Sequence, residues 1–310
     1  MSLTLTDHAP HQGAAAIKKL TPDNAVGIIQ QMRMKKLVVL FIFVLGITFI
    51  QSCDDIKTSK ASTDAFESLY PGTKVKSWTT KEDYEIAIFK KQHHTAEAWF
   101  DKNGWVQTVT HLSLEALPDP VSDSFRHTTF ADSAWEVTGV NRLERKNRET
   151  IDVITVERNK VTYALAYNAD GLLVIKKDIT DIINDTTKLL PQPVPEKIQS
   201  LMKSRYPSAH FYEIEFEPTF IKLYIAEQQV PKQVIFSNSE EWLYTTWEVE
   251  KDSLPEKVKK VLYQKPYKGW TVEEIKSIES EREQFYTIEL RKGEEFQAVS
   301  IDTNGKILKK

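Results

Sequence analysis

The sequence predicts an α+β fold made of tandem units, each a helix followed by three or four antiparallel strands, with helices on one face of the sheet and four units paired into two domains. Three observations predict it. Asn103-Gly104, Asp170-Gly171 and Asn304-Gly305 each sit between strand-like runs, and the glycines lie 67 and then 134 positions apart, a spacing that four units would fill. Leu117-Pro118-Asp-Pro-Val121, Val194-Pro195-Glu-Lys-Ile198 and Leu254-Pro255-Glu-Lys-Val258 share an apolar residue, a proline suited to a first helical turn and an apolar residue three positions on. Tyr212-Glu-Ile-Glu-Phe-Glu217, Phe285-Tyr-Thr-Ile-Glu-Leu290 and Phe296-Gln-Ala-Val-Ser-Ile301 alternate apolar with polar, as strands do when one sheet face meets water.

In chain order, a helical pattern from Thr63 through Ala65, Phe66 and Leu69 stops at Tyr70-Pro71-Gly72, where proline disfavours helix in the residue before it. Strands follow at Lys74 to Thr79, Tyr84 to Phe89, Glu97 to Phe100 and Trp105 to His111. The second unit lacks Tyr-Pro and has Phe125-Arg-His-Thr-Thr-Phe130 there; the third regains it as Tyr206-Pro207. The third unit's turn falls near 238 as Phe236-Ser-Asn238-Ser-Glu-Glu-Trp242, without glycine. Pro191-Gln-Pro193-Val-Pro195 lies at the midpoint, so domains are expected over 63–190 and 191–310.

Ahead of them stands Met32-Arg-Met-Lys-Lys36, the 14-residue apolar run Leu37 to Ile50, and Gln51-Ser52-Cys53. This order resembles a bacterial lipoprotein signal peptide over 32–52, with Gln51 a departure from the commoner small or apolar residue. The resemblance implies lipidation of Cys53, a mobile tether over 53–62, and a lipid-anchored protein of the bacterial cell envelope, periplasmic or at the outer-membrane surface. A permanent transmembrane helix is the weaker alternative, since spanning takes roughly 20 apolar residues. Residues 1–31 read as a misassigned start or a disordered extension.

Removing residues 1–52 leaves 36 basic against 42 acidic residues, a mild acidity that excludes the basic stripe nucleic-acid binding needs. Cys53 is the only cysteine, so no intramolecular disulfide holds the fold and each domain needs its own core.

The lipobox-like start, units of about 65 residues, the Tyr-Pro helix ends, the Tyr-Glu-Ile strands and the Asp-x-Asn-Gly hairpins together resemble the PepSY-like family, with a fold like that of the β-lactamase inhibitor protein. The resemblance covers most of residues 61–310. It implies a non-catalytic envelope protein that binds a protein or peptide, and no active-site residues.

Residue patterns that carry chemistry are few. His93-His94 and His111 suggest a metal site only until strand alternation is considered, and Lys90 to Thr95 reads as a solvated hairpin loop. The acidic runs Glu273-Glu274 and Glu279 to Glu283 lack the spacing of a calcium loop. No nucleophile, phosphate-loop or dinucleotide motif occurs, so no catalytic residue, metal or cofactor is expected. The aromatic residues are more informative. Period-two alternation in Trp242-Leu-Tyr-Thr-Thr-Trp-Glu-Val249 puts Trp242 and Tyr244 on the face opposite Leu243, Trp247 and Val249, and with Trp99 they are the expected partner-binding residues on an open sheet face. A binding or inhibitory module is therefore the first reading; a structural component of an envelope complex and an enzyme of unrecognised type are the alternatives.

Overall fold

The computed structural model describes residues 58–180 and 190–308. The described residues form two eight-stranded antiparallel sheets and four α-helices. The first sheet runs β1 (Val75–Lys81), β2 (Tyr84–Lys91), β3 (His94–Asp101), β4 (Gly104–His111), β5 (Glu136–Arg145), β6 (Ile151–Arg158), β7 (Val161–Tyr167) and β8 (Leu173–Asp178), with α1 (Lys60–Leu69) before β1 and α2 (Asp119–Arg126) between β4 and β5. The second runs β9 (His210–Phe216), β10 (Ile221–Glu227), β11 (Val230–Phe236), β12 (Trp242–Glu248), β13 (Thr271–Glu279), β14 (Gln284–Lys292), β15 (Glu295–Asp302) and β16 (Ile307–Leu308), with α3 (Glu196–Arg205) before β9 and α4 (Glu256–Leu262) between β12 and β13. Within each sheet, every strand pairs with its neighbours in sequence.

Local chemistry sets the boundaries. The Ser59 hydroxyl accepts from Ser62 N at 3.1 Å and caps α1, so the helix starts at Lys60 rather than the expected Thr63, and residues 60–62 belong to it rather than to a tether. Pro118, Pro195 and Pro255 immediately precede α2, α3 and α4, where a fixed φ is already helical and no amide is needed. Gln92-His93, Asn159-Lys160 and Gln228-Gln229 each have two positive φ values, the backbone of a two-residue hairpin turn matched to strand twist. In the third unit Glu240, at φ 62, supplies a positive-φ residue in the turn that lacks glycine.

Two turn glycines are forced by contact. A Cβ at Gly171 would stand 2.2 Å from Pro120 O, and one at Gly305 would stand 2.6 Å from Lys257 O. Each turn thus rests on the first residues of the helix in its own unit.

The helices share one face of each sheet. Phe66 of α1 packs with Ala87, Phe89, Ala96, Ala98 and Phe100, and Val121 and Phe125 of α2 pack with Val140, Ile154, Val156, Leu165 and Tyr167. The strand register puts both sets on the same side. In the second sheet Ile198 of α3 packs with Ile214, Leu223, Ile225, Val234 and Phe236, and Val258 and Leu262 of α4 pack with Ile275, Ile288, Leu290 and Val299.

A buried threonine ties helix end to sheet in both halves. Thr108 Oγ1 lies 2.6 Å from Tyr70 OH and accepts from Trp105 Nε1 at 2.9 Å; Thr245 Oγ1 lies 2.5 Å from Tyr206 OH and accepts from Trp242 Nε1 at 3.1 Å. The helix ends alternate accordingly. Tyr70 and Tyr206 close α1 and α3 at φ −132, ψ 61 and φ −130, ψ 60, whereas His127 and Tyr263 close α2 and α4 at φ −88, ψ 0 and φ −89, ψ −7.

Candidate functional site

The three aromatics expected on an open face are buried. Trp242 is 8% exposed and lies on the helix side, bonded to Thr245, with the Arg205 guanidinium 3.5 Å from its ring centroid. The reason is a bulge: Phe236 pairs with Trp242 but Ile235 pairs with Tyr244, so the extra residue Leu243 breaks the simple alternation and separates Trp242 from Tyr244. Tyr244 does lie on the helix-free side, yet it is fully buried among Ile235, Ile278 and Phe285, and its hydroxyl has no partner. Burial pushes its phenol pKa up. Trp99 is 4% exposed, packs with Ile86 and Leu190, and donates from Nε1 to Glu97 at 3.2 Å. None of these rings meets solvent as a partner contact would. Cys53 and the whole apolar run lie outside the described residues.

The histidines do not converge. His93 is at the exposed hairpin turn, His94 opens β3, and His111 on β4 lies 2.8 Å from Asn141 Oδ1 and 3.4 Å from Glu97 Oε1. Burial alone would lower the His111 pKa, but Glu97 outweighs it and raises it. The acidic runs are met by local cations: Glu273 by Arg291 at 2.8 Å, Glu274 by Lys276 at 3.0 Å and Glu279 by Arg205 at 2.6 Å. Among the described residues there is no group of three or more His, Cys, Asp or Glu able to hold a metal.

The helix-free face instead forms a seam between the two sheets. Cross-strand register puts Val109, Leu143, Arg145, Val153, Ala164, Ala166, Ile175 and Lys177 on that side of the first sheet. Tyr212, Tyr224 and Ala226 of the second sheet pack into its apolar part. Around them the charges meet by sign. Arg145 Nη1 donates to Glu213 Oε2 at 2.5 Å and its Nη2 to Tyr212 O at 2.8 Å, and Arg148 takes the other Glu213 oxygen. Lys177 pairs with Glu215, which also receives Lys222 Nζ at 3.0 Å and Tyr224 OH at 3.1 Å. Backbone joins in, with Glu149 N donating to Phe211 O at 3.0 Å, and Asn168 Nδ2 reaching Tyr212 OH at 3.3 Å.

Burial and the paired charges oppose each other in these groups, with different outcomes. It lowers the Arg145 pKa to about 10 although Glu213 pulls the other way. Burial would raise Glu215, but Lys222 and Lys177 outweigh it and bring it down to about 2. Sequence reading missed this seam. Glu213 and Glu215 looked like the wet side of an alternating strand, yet they are 5% and 6% exposed. The available signal was the pair Arg145 and Arg148 at the end of a strand, which alternation alone does not match to carboxylates 65 residues on or more.

Comparison with solved structures finds a BLIP-like protein from Bacteroides fragilis, 31% identical, with 44% of this chain and 93% of that chain covered and a TM-score of 0.38. A DUF2874 family protein from Bacteroides ovatus is 27% identical over 41% of this chain and 91% of its own, with a TM-score of 0.37. A structure described as "putative periplasmic proteins" from Bacteroides eggerthii is 21% identical over 42% and 94%, with a TM-score of 0.36. Comparison with curated proteins gives no match. The family model described as "Putative beta-lactamase-inhibitor-like, PepSY-like" matches residues 82–175, 182–228 and 222–309, and with most of the chain so covered, this protein belongs to the PepSY-like family.

Proposed function

We propose that the protein is a non-catalytic binding module of the bacterial cell envelope, tethered through a lipid on Cys53, which recognises a protein or peptide with the helix-free side of its sheets. One observation carries the reading: that side already recognises a protein surface, because the two sheets join through it with matched charges and buried tyrosines. The helices take the other side of each sheet for core packing. The inhibitor-like family description supports binding over catalysis, and the basic, apolar, Ser-Cys order of residues 32–53 supports the envelope. Each sheet with its two helices is one module, 60–190 once all of α1 is included and 191–310, joined at Pro191 to Pro195.

The edge of the helix-free side at β1, beyond the strands that form the seam, is the part open to a partner. Ser77, opposite Ile88, is exposed there, while Thr80, opposite Glu85, is exposed on the helix side. A photo-crosslinking residue at Ser77 should give a discrete adduct in intact cells that the same residue at Thr80 does not. Equal adducts, or none from Ser77, reject the surface. Mass spectrometry of the mature N-terminus tests the anchor: acylated Cys53 is expected, and an unmodified Met1 or Met32 rejects it.

A further inference from the structure

Ownership of the seam is lopsided. Of the twelve buried residues in its apolar cluster, nine come from the first half and only Tyr212, Tyr224 and Ala226 from the second. The first half presents a broad apolar sheet surface, and the second covers it with two tyrosine rings. Charge is split the same way: Arg145, Arg148 and Lys177 belong to the first half, and Glu213 and Glu215 to the second, where Lys222 also faces Glu215.

The seam is also the part of the molecule best suited to come apart. Buried ion pairs roughly break even against their desolvation, whereas the helix-side cores are drawn within single halves. At the seam itself Arg145 Nε is buried without a partner, a cost that access to water would relieve. Separation would leave both sets of helix-side cores intact.

Resting on the proposed use of the helix-free side, we infer that β9 is a built-in occupant of the first half's binding surface, and that the partner it stands in for is an acidic, tyrosine-bearing extended segment of the Tyr-Glu-x-Glu kind. The chemistry is read from Tyr212-Glu213-Ile214-Glu215: tyrosine on the apolar surface, one carboxylate for the Arg145 and Arg148 pair, and the next for Lys177. Being on the same chain, β9 competes as an intramolecular ligand, with an advantage over any free segment of equal affinity. A partner must therefore outbid it, which makes the seam an autoinhibitory contact.

The test uses the full chain in a Cys53→Ser background with one reporter cysteine. Ala164→Cys reports the seam and Ala98→Cys reports the α1 core, positions that are 3% and 0% exposed. Glu213→Gln with Glu215→Gln should speed maleimide labelling of the seam reporter on the order of tenfold or more while the core reporter stays protected. A synthetic peptide of residues 209–217 should then restore protection, and its version with both seam glutamates replaced by glutamine should not. A seam reporter that stays protected in the folded double variant overturns the latch. Restoration by both peptides, or by neither, overturns the acidic segment as the occupant. If the double variant exposes the core reporter as well, Glu213→Gln alone takes its place with the same expectations. Labelling as expected together with no adduct from Ser77 rejects the envelope-binding surface and leaves the latch standing.

Discussion

Arg145 and Glu213 meet at 2.5 Å across the seam, with their side chains 0% and 7% exposed. Glu213 also receives Arg148, so one carboxylate serves two guanidiniums. Removing the shared partner should therefore cost more than removing either donor. Glu213→Ala is expected to lower stability by about 3 to 5 kcal/mol, and Arg145→Met by less, because Arg148 still answers Glu213. Urea midpoints of the two variants decide it; the reverse order would show that Arg145 acts mainly through packing.

The acid response follows from Glu215. Its carboxyl pKa is about 2 in the folded protein against an ordinary 4.5. A carboxylate depressed in this way adds stability above its unfolded pKa, and that stability is lost as pH falls through the folded value. Stability should thus decline between pH 4.5 and 2, and Glu215→Gln should remove that component. Parallel pH profiles of the two proteins across this window would show that Lys222 and Lys177 do not hold the charge.

Threonine removal should be felt unequally in the two halves. Thr245→Val orphans Trp242 Nε1 and leaves Tyr206 OH with Arg205 Nε alone, at 3.3 Å; these residues are 8% and 6% exposed, whereas the partners of Thr108, Tyr70 and Trp105, are only half-buried. An unsatisfied buried donor costs about 1 to 3 kcal/mol, so Thr245→Val should be the more damaging change. The two losses should add, since the sites share no partner. Thermal unfolding of both single variants and the double variant measures this.

Glycine substitution separates contact from conformation. Gly104, Gly171 and Gly305 all have positive φ, but only the last two touch a helix backbone. Gly104→Ala should cost about 1 kcal/mol for its φ alone. Gly171→Ala and Gly305→Ala should cost clearly more, since Pro120 O or Lys257 O must move. Equal losses at all three positions would rule out the helix contact as the reason.

The fold was legible because it is written in local punctuation. Pro118, Pro195 and Pro255 mark helix starts, and Gly104, Gly171 and Gly305 mark turns, both through backbone restrictions that survive any tertiary context. The candidate site was not legible, because strand alternation says which residues share a side but not what covers that side. Glu213 and Glu215 alternate correctly and still end up dry. Trp242 went astray for a different reason, a one-residue bulge that period-two reading cannot see.

The alternating helix ends set the true period of the molecule. Tyr70 matches Tyr206 and His127 matches Tyr263 in both dihedral angles, while neighbours along the chain do not match. The structural repeat is therefore the half, two unlike helices with eight strands, and not the single helix-and-strands unit. What the halves share describes that repeat, whereas Arg145 with Glu213, which joins one half to the other, has no counterpart inside it.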